Sequence, residues 1–303
     1  QGAFAIDVAA HNALGVGHPL AAGSAAQHHK LFPKIVDGTW LMAWGLTEPE
    51  AGSDSGGVQT VAREVAPGQW ELNGRKRYIT MGHWAEYLIV MAISGQTPEG
   101  KKEFSAFLVH QSKIKPGRKV PTCGLRASDT AEFELVGAPG ELLGPRGSGQ
   151  AMALACLDKG RIGVAAVSLG LARAALDAAL RHALNRRQFG KRLADFQALQ
   201  FMLADCEVEM RAAEALVLEA AVLAKRGVRH TLESSVAKLY ASEAASRICN
   251  RVLQIHGGYG YTRDIPVERL WRDARLSEIG EGSSEVQRII ISRTLLKAME
   301  GKA

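Results

Sequence analysis

Cysteine is scarce in this 303-residue chain, which has only Cys123, Cys156, Cys206 and Cys249. The four lie far apart with no CxxC pair, so neither a structural zinc site nor a disulfide framework is indicated. We predict four buried thiols in a reducing compartment and no bound metal.

Long apolar runs and dense basic clusters are also lacking. No segment approaches the roughly 20 consecutive apolar residues that span a bilayer, and residues 1–10 lack the basic-then-apolar order of a signal peptide. The formal charge is +6, but Lys and Arg are interspersed with Asp and Glu, and zinc-finger spacings and basic arms are absent. The sequence therefore predicts a soluble protein that binds small polyanions, and neither membrane nor nucleic acid.

A hydrophobic content of 47% with 22% charged residues is typical of a globular protein, and three textures follow one another along it. Residues 1–43 are rich in Ala and His, with helix-compatible stretches at 4–14 and 24–32 and then breaks at Pro33 and Asp37-Gly38. They offer too little apolar surface for a core of their own. We interpret them as the remnant of a helical domain.

Residues 44–148 contain short apolar or alternating runs bounded by Gly, Pro and Asn-Gly, the pattern of a β domain. The clearest runs are Trp70–Leu72, Tyr87–Ile93 and Phe104–Val109. Asn73-Gly74 is a favoured hairpin dipeptide, so the sequence predicts a turn there that joins residues 69–72 to residues 75–80.

Residues 149–303 read as a helical bundle. Segments rich in Ala, Leu, Glu, Lys and Arg predict four long helices, at Ile162–Asn185, Ala198–Arg226, Leu232–Ile255 and Ser284–Met299. Four successive helices favour a four-helix bundle. Because GxGxxG is absent, a nicotinamide-binding Rossmann domain is not indicated.

Two motifs of the β region could contact a planar cofactor. The loop Leu46-Thr47-Glu48-Pro49-Glu50-Ala51-Gly52-Ser53-Asp54 is rich in donors and acceptors, and Gly52 permits close backbone approach to a ligand. In Arg75-Lys76-Arg77-Tyr78-Ile79-Thr80, Tyr78 and Thr80 are two residues apart and share one strand face. The same residues also suit an ordinary surface turn and a half-buried strand.

Two motifs of the helical region suit phosphate and adenine. Arg186-Arg187-Gln188-Phe189-Gly190 offers guanidinium groups and an aromatic face. Gln254-Ile255-His256-Gly257-Gly258-Tyr259-Gly260-Tyr261 exposes backbone beside adjacent glycines, more than a helix end requires. Basic residues near a helix C-terminus can equally serve only to offset its dipole.

Glu281 is the candidate catalytic base. It stands between Gly280 and Gly282, just before a helix whose N-cap is predicted at Ser283 or Ser284. The two glycines let a substrate come close. The alternative interpretation is a carboxylate that merely favours the helix N-terminus.

The order and spacing of these motifs resemble the acyl-CoA dehydrogenase family, from about Phe4 to the last helix. The segments that carry the resemblance are LTEPEAGSD, Tyr-Ile-Thr, DKGR at 158–161, RRQFGK, QIHGGYGY and RDARLSEIGEGSSEVQRII. The resemblance implies a multidomain α and β protein: a partial N-terminal helical domain (1–43, most of that domain missing), a central antiparallel β-barrel-like domain (44–148) and a C-terminal four-helix bundle (149–303). It also implies one FAD held between the β domain and the bundle.

The resemblance assigns roles to individual residues. Glu281 would be the base, since Gly160 stands where some relatives carry it instead. Ser53, Asp158, Arg161 and Gly282 would bind the acyl-CoA substrate. The FAD-binding residues would be Leu46, Thr47, Gly52, Ser53, Tyr78, Ile79, Thr80, Arg186, Gln188, Phe189, Gln197, Gln254, Gly257, Gly258, Ser283 and Glu285. Those from Arg186 to Gly258 would contact the FAD of a neighbouring subunit, which implies a homotetramer.

The implied reaction is α,β-dehydrogenation of an acyl-CoA to a trans-2-enoyl-CoA, with hydride transfer to FAD and an electron-transferring flavoprotein as acceptor. Burial of Glu281 would raise its pKa towards that of a useful base. Rival functions on the same scaffold are an acyl-CoA oxidase, a flavin monooxygenase, and a non-catalytic flavin-binding or DNA-protecting relative. We expect the cytoplasm for a bacterial protein and the mitochondrial matrix for a eukaryotic one.

Overall fold

This computed structural model describes residues 1–301, so the last two residues of the predicted 149–303 domain lie outside the described part. The chain divides into two compact units. We call residues 7–122 with 126–160 the barrel unit, and residues 1–6, 123–125 and 161 onward the helical unit. Two divisions between the units, after residues 6 and 160, fall inside the helices that span residues 2–10 and 149–185. The predicted domain boundaries at 43/44 and 148/149 stay predictions.

The barrel unit is built on a seven-stranded sheet. Its strands are β1 Met42–Gly45, β2 Val61–Ala66, β3 Gln69–Thr80, β4 Tyr87–Gln96, β5 Lys102–His110, β6 Lys115–Lys119 and β7 Thr130–Leu143. Strands β4, β2, β3, β7 and β5 pair in a closed ring, because β5 also pairs with β4. This confirms the barrel-like domain. Most pairings are antiparallel, and the exceptions are the parallel contacts of β4 with β1 and β2.

Strand β4 shows how the barrel forms. Leu88, Val90 and Ala92 point into the barrel core with Trp70 and Phe107. The residues between them, Ile89 and Met91, lie in a second core that includes Leu31. Since side chains alternate along a strand, a strand buried on both faces is apolar throughout, which is why this run is so hydrophobic.

The predicted hairpin at Asn73-Gly74 is wrong. Residues 69–80 form one continuous strand that pairs with β7, with irregular register at Leu72/Gly74 and Lys76/Ile79. Pairing along a whole neighbouring strand outweighs a local turn preference. The actual β2–β3 turn is at Pro67-Gly68, where Gly68 adopts φ +74°, a conformation that suits glycine.

The N-terminal stretches are helical, as predicted. They comprise α1 Gly2–Ala10, a π-helical turn His11–Val16, α2 Gly17–Ala22 and α3 Ala25–Val36. Ser24 caps α3 in a capping box with Gln27. The expected break at Pro33 is wrong, since α3 continues to Val36. A proline removes one intrahelical hydrogen bond, and Leu31, fully buried two residues earlier, anchors the helix.

The helical unit contains the four predicted long helices, three of them within one residue of the predicted bounds, whereas the first begins at Gly149, well before the predicted Ile162. Its helices are α4 Gly149–Asn185 (which begins in the barrel unit), α5 Gln197–Lys225, α6 Thr231–His256, α7 Gly258–Tyr261, α8 Val267–Ala274 and α9 Ser284–Glu300. Helix α6 packs on both α5 and α9. The α4–α5–α6 core is largely alanine, including Ala165, Ala213, Ala220, Ala237 and Ala241, so these helices approach closely.

Helix α4 is an exception to the expectation that no segment could cross a bilayer. Within residues 1–301 it alone is long and apolar enough, with mean hydropathy 1.5 over its most apolar window. Half of that window is buried inside the protein. Length and composition do not separate such a helix from the core helix of a soluble protein.

Three of the four cysteines are buried, namely Cys156, Cys206 and Cys249. The prediction is wrong for Cys123, which is exposed in the irregular segment between β6 and β7. The described residues contain no group of three or more His, Cys, Asp or Glu side chains that could hold a metal ion.

Candidate functional site

Glu281 lies in a short loop immediately before α9. It adopts φ +54°, and Gly282 after it adopts φ +92°. The loop ends at Ser283, whose Oγ accepts a hydrogen bond from the Val286 N–H at 3.4 Å and so caps α9. The N-cap prediction is thus confirmed at the first of its two positions. A left-handed glutamate is strained, and such strain concentrates at functional sites.

Two fully buried side chains hold this loop. Gln287 Nε2 donates to the carbonyl oxygens of Glu281 and Gly282 at 3.2 and 2.9 Å. Lys238 Nζ donates to the Gly282 carbonyl at 2.7 Å. Both residues are 0% exposed, so the loop backbone is fixed from two directions.

The Glu281 carboxyl group has the character of a general base. Burial raises its pKa from 4.5 to about 7, and the nearby charges of Lys238 and Arg161 oppose that rise. Its Oε2 atom is buried and has no hydrogen-bond partner among residues 1–301. A carboxylate that ionises near neutral pH and keeps a free oxygen can accept a proton from a substrate.

Further buried polar atoms near Glu281 lack partners in the described chain. They are Ser284 Oγ and Gln287 Oε1, both within six residues of Glu281. Most buried polar groups in folded proteins are hydrogen-bonded. A local concentration of unsatisfied atoms therefore marks a place where a ligand or water completes the bonding.

Among the residues predicted to bind substrate, Arg161 belongs with this cluster. It is only 4% exposed, its Nη1 donates to Ser235 Oγ at 3.4 Å, and its charge acts on Glu281. Gly282 is part of the loop itself. Asp158 is half-buried three residues before Arg161 on α4, and Ser53 is exposed in the barrel unit.

A cavity of about 530 Å³ lies in the helical unit. It gathers four residues predicted to bind FAD, namely Arg186, Gln188, Gly257 and Gly258. A Cβ atom built at either glycine would meet nothing within 4 Å, so the backbone there is open to a ligand. The cavity thus combines open glycine backbone with a guanidinium group, a chemistry that suits an anion.

Phe189, Gln197 and Gln254 do not line that cavity. Phe189 stands with Gly190 at the tip of a two-residue hairpin between β8 Arg187–Gln188 and β9 Lys191–Arg192. Its φ is +51° and its side chain is 93% exposed. Gln197 begins α5, and the exposed Gln254 lies near the end of α6.

In the barrel unit the predicted FAD-binding residues come from one loop and one strand. Tyr78 forms part of a bulge opposite β7 with φ +60° and is 55% exposed, whereas Ile79 is buried. The Arg77 N–H donates to the Thr47 carbonyl at 3.0 Å, which brings the loop that starts at Leu46 beside the strand that ends at Thr80. Gly52 is exposed near the far end of this loop.

A buried ion pair fixes that loop on that strand. Lys76 Nζ lies 2.8 Å from Glu48 Oε1 and also donates to the Leu46 carbonyl at 3.0 Å. Glu48 in turn accepts from Thr60 Oγ1 at 2.5 Å and from the Gln59 N–H at 2.7 Å. Because the carboxylate and ammonium are so well bonded, the loop geometry is strongly defined.

The sequence patterns did not predict two residues that lie beside Glu281 or in the cavity, Lys238 and His182. Lys238 stands in the stripe Ser234, Ala237, Lys238, Ala241, which is the buried face of α6, and a lysine on a buried helical stripe is a signal of function. His182 lines the cavity one turn before Arg186, and its ring stacks on His256 at 4.3 Å. The (i, i+4) spacing of His182 and Arg186 could have revealed it.

Comparison with known proteins gives consistent matches over nearly the whole chain. The family described as "Acyl-CoA dehydrogenase, middle domain" matches residues 43–137, and "Acyl-CoA dehydrogenase, C-terminal domain" matches residues 147–296. "Probable acyl-CoA dehydrogenase YngJ" of Bacillus subtilis (strain 168) is 43% identical over 98% of this chain and 79% of its own length. "Caffeyl-CoA reductase-Etf complex subunit CarC" of Acetobacterium woodii is 40% identical, again over 98% and 79%.

Solved structures agree with the sequence relatives. Butyryl-CoA dehydrogenase from Megasphaera elsdenii has a TM-score of 0.95 at 38% identity, over 98% of this chain and 78% of that one. An acyl-CoA dehydrogenase from Bacillus anthracis, described as complexed with FAD, has a TM-score of 0.90 at 32% identity, over 99% and 55%. Acyl-CoA dehydrogenases are FAD-dependent oxidoreductases, so the predicted fold, enzyme class and cofactor class are confirmed. This chain belongs to the acyl-CoA dehydrogenase family.

Proposed function

We propose that this protein oxidises an acyl-CoA thioester to the trans-2-enoyl-CoA, with Glu281 as the base that removes the α-proton. The observation that carries the proposal is Glu281 itself. The residue is half-buried and strained in backbone, its Oε2 atom is buried with no hydrogen-bond partner among residues 1–301, and burial raises the pKa of its carboxyl group to about 7. An α-proton beside a thioester is weakly acidic, so the base must act near its own pKa. The Glu281 backbone N–H is proposed to donate to the thioester carbonyl and so stabilise the charge that develops there.

The residues present fit FAD. The open backbone at Gly257 and Gly258 and the side chains of Arg186 and Gln188 suit its phosphates. Tyr78 and Thr80 suit its ring, and Leu46, Thr47, Gly52 and Ser53 are proposed to line its edge. Ser283 and Glu285 complete the proposed set. When bound, FAD supplies the acceptor for the hydride that leaves the β-carbon.

Asp158, Arg161 and Gly282 are proposed to orient the acyl-CoA. Arg161 donates to Ser235, and its charge acts on the Glu281 carboxylate. Burial of the reacting groups excludes water and strengthens each electrostatic contact. The M. elsdenii neighbour is a butyryl-CoA dehydrogenase, which favours a short acyl chain here.

The electron partner is proposed to be an electron-transferring flavoprotein, since one relative is named as a subunit of a complex with that partner. The name of that complex also contains a caffeyl-CoA reductase. That name supports a second candidate, the reverse reaction, in which Glu281 in its acid form delivers a proton to the α-carbon of an enoyl-CoA.

Anaerobic mixing of the FAD-loaded protein with butyryl-CoA tests the proposal. We expect bleaching of the flavin absorbance, and a rate for Glu281→Gln that is lower by roughly 10³-fold, the contribution of a positioned base. Glu219→Gln, the same change on an exposed face of α5, is the matched control and should bleach at the native rate. Bleaching by E281Q at the native rate would refute the proposal.

Two further measurements separate the rival functions. Slow reoxidation in air favours a dehydrogenase, whereas rapid peroxide formation favours an oxidase. Steady turnover of butyryl-CoA with the flavoprotein acceptor favours oxidation as the working direction. Turnover of an enoyl-CoA with the reduced acceptor favours the reductase.

A further inference from the structure

Lys238 occupies an unusual position relative to the proposed base. Its ammonium group is completely buried and donates to the carbonyl of Gly282, the residue after Glu281, at 2.7 Å. The Glu281 Oε2 atom, in contrast, has no hydrogen-bond partner among residues 1–301. The cation is therefore attached to the base loop, beside the carboxylate but without bonding that oxygen.

This placement solves a conflict between two requirements of the base. A buried carboxylate with no cation nearby stays protonated at neutral pH and cannot accept a proton. A carboxylate in a direct ion pair is ionised, but its oxygens are occupied and its basicity is low. A cation bonded to the backbone carbonyl of the next residue favours ionisation of the carboxyl group through its charge, and it leaves a carboxylate oxygen available for the substrate proton.

We propose that Lys238 is the positioning residue of the base, the buried counter-charge that keeps Glu281 ionisable while holding its loop through the Gly282 carbonyl. This inference rests on the proposed role of Glu281. Charged groups on every neighbouring element enter the balance. Arg161 of α4 acts on Glu281 in the same sense as Lys238. Burial, together with the charge of Arg161, lowers the pKa of Lys238 itself to about 8, whereas Glu281, Glu278 before the loop and Glu285 of α9 favour its charged form. Lys238 is therefore largely charged at pH 7.

The loop bond and the charge have separable effects. Gln287 also donates to the Gly282 carbonyl, at 2.9 Å, so loss of the Lys238 bond does not leave that carbonyl unpartnered. Lys238→Met removes both charge and donor. Lys238→Gln removes the charge and keeps a donor. If charge is what matters, both variants change the ionisation of Glu281 in the same direction.

Infrared difference titration of the FAD-loaded protein without substrate measures that ionisation directly. The carboxylic acid band of Glu281 is identified by its loss in Glu281→Gln. We expect a midpoint near pH 7 in the native protein. In K238M and K238Q it should rise by about one unit or more, the effect of losing one nearby opposite charge. Lys225→Met, at an exposed lysine of α5, is the matched control and should not shift it.

The pH profile of flavin bleaching by butyryl-CoA gives the second readout. A one-unit rise lowers the ionised fraction at pH 7 about fivefold, so K238M and K238Q should be about fivefold slower there and approach the native rate near pH 9. Lys238→Arg, which retains the charge, should keep the native profile.

The outcomes distinguish the two proposals. An unshifted infrared midpoint, with a rate that falls equally at all pH values, overturns the role of Lys238 and leaves it a structural contact. The opposite result is also possible: the infrared midpoint shifts, but no acyl-CoA reduces the bound flavin and no enoyl-CoA oxidises the reduced flavin. That result would support Lys238 as the counter-charge of Glu281 and refute the proposed function. If K238M does not fold, K238Q provides the same comparison.

Discussion

At the residue scale, backbone strain marks the same residues that sequence patterns single out. Five non-glycine residues in the described chain have positive φ: Tyr78, Met81, Leu125, Phe189 and Glu281. Three of them, Tyr78, Phe189 and Glu281, are predicted site residues. A left-handed backbone conformation at a non-glycine residue costs of order 1–3 kcal/mol, and it persists only where the surrounding structure enforces it. For Glu281, the enforcing contacts come from Lys238 and Gln287.

The raised pKa of Glu281 predicts a pH-dependent stability difference from E281Q. The carboxyl group is protonated in both the folded and unfolded states below pH 4.5, and ionised in both above about 7. Between these values only the folded state holds the proton, so the native protein loses stability as pH rises through that window. The free energy of unfolding of E281Q should therefore increase relative to native by up to about 3 kcal/mol from pH 4.5 to 7.

Thermal unfolding of both FAD-loaded proteins at half-unit pH intervals measures this difference. The gap in Tm should widen between pH 4.5 and 7 and stay constant above pH 7. A gap that is the same at every pH would show that Glu281 ionises normally in the folded protein.

At the element scale, the loop from Leu46 and strand β3 depend on the buried pair of Lys76 and Glu48. The side chains are 0% and 5% exposed, and removal of one partner leaves the other as an uncompensated buried charge. We expect Lys76→Met to destabilise the protein by about 3–5 kcal/mol, measured by urea denaturation. The double variant K76M/E48Q should be more stable than K76M, because no buried charge remains alone; a double variant as unstable as the sum of the single changes would contradict this.

Glycines in two elements provide a matched pair for testing close packing. A Cβ on Gly74 of β3 would lie 2.4 Å from Thr60 Oγ1 and 2.8 Å from Thr60 Cα, whereas a Cβ on Gly170 of α4 would meet nothing within 4 Å. Gly74→Ala should therefore destabilise the protein by about 1–3 kcal/mol. Gly170→Ala should stabilise it by about 0.5–1 kcal/mol, since alanine favours a helix interior. Urea midpoints of the two variants that move in the same direction would contradict the packing argument.

Gly74 also shows where sequence interpretation stops. Periodicity located the long helices to within a few residues, apart from the start of α4, because each presents a continuous apolar face to its neighbours. Asn73-Gly74, in contrast, has the local preference of a turn but lies within β3, where Asn73 pairs with Val61 of β2 and Gly74 with Leu135 of β7. No local pattern reports a non-local partner. The same limit applies to Lys238. Its sequence position is visible, but its bond to the Gly282 carbonyl depends on how α6 meets the loop before α9.

At the scale of the whole molecule, the candidate site is distributed over distant parts of the chain. Motif order was enough to predict the family, the fold and Glu281 as candidate base, because each motif is short and contiguous. The burial of Glu281 and the cavity that gathers residues 182–193 with 255–264 arise only when helices pack. The residue types of the site could therefore be predicted from the sequence better than the burial of those residues, and it is burial that sets the pKa of Glu281.

Assembly is predicted to complete the FAD site. Phe189 is an aromatic side chain, 93% exposed at the tip of a strained two-residue turn, which favours a role towards a partner molecule over a role in its own core. In the predicted homotetramer it would lie against the adenine of a neighbouring subunit's FAD. Stacking of an aromatic side chain on a base contributes about 1–3 kcal/mol, so Phe189→Ser should weaken FAD retention by about tenfold or more.

The flavin-to-protein ratio after gel filtration, with sedimentation velocity on the same samples, measures both retention and assembly. Val136→Ser is the matched control, since Val136 is also an exposed apolar side chain, at 72%, but lies on β7 of the barrel unit. We expect a tetramer with full FAD for native protein and V136S, and partial loss of FAD for F189S. Because Phe189 makes few contacts within its own subunit, the Tm of FAD-free F189S should equal that of FAD-free native protein. Full FAD retention by F189S would show that the hairpin does not serve a neighbouring site.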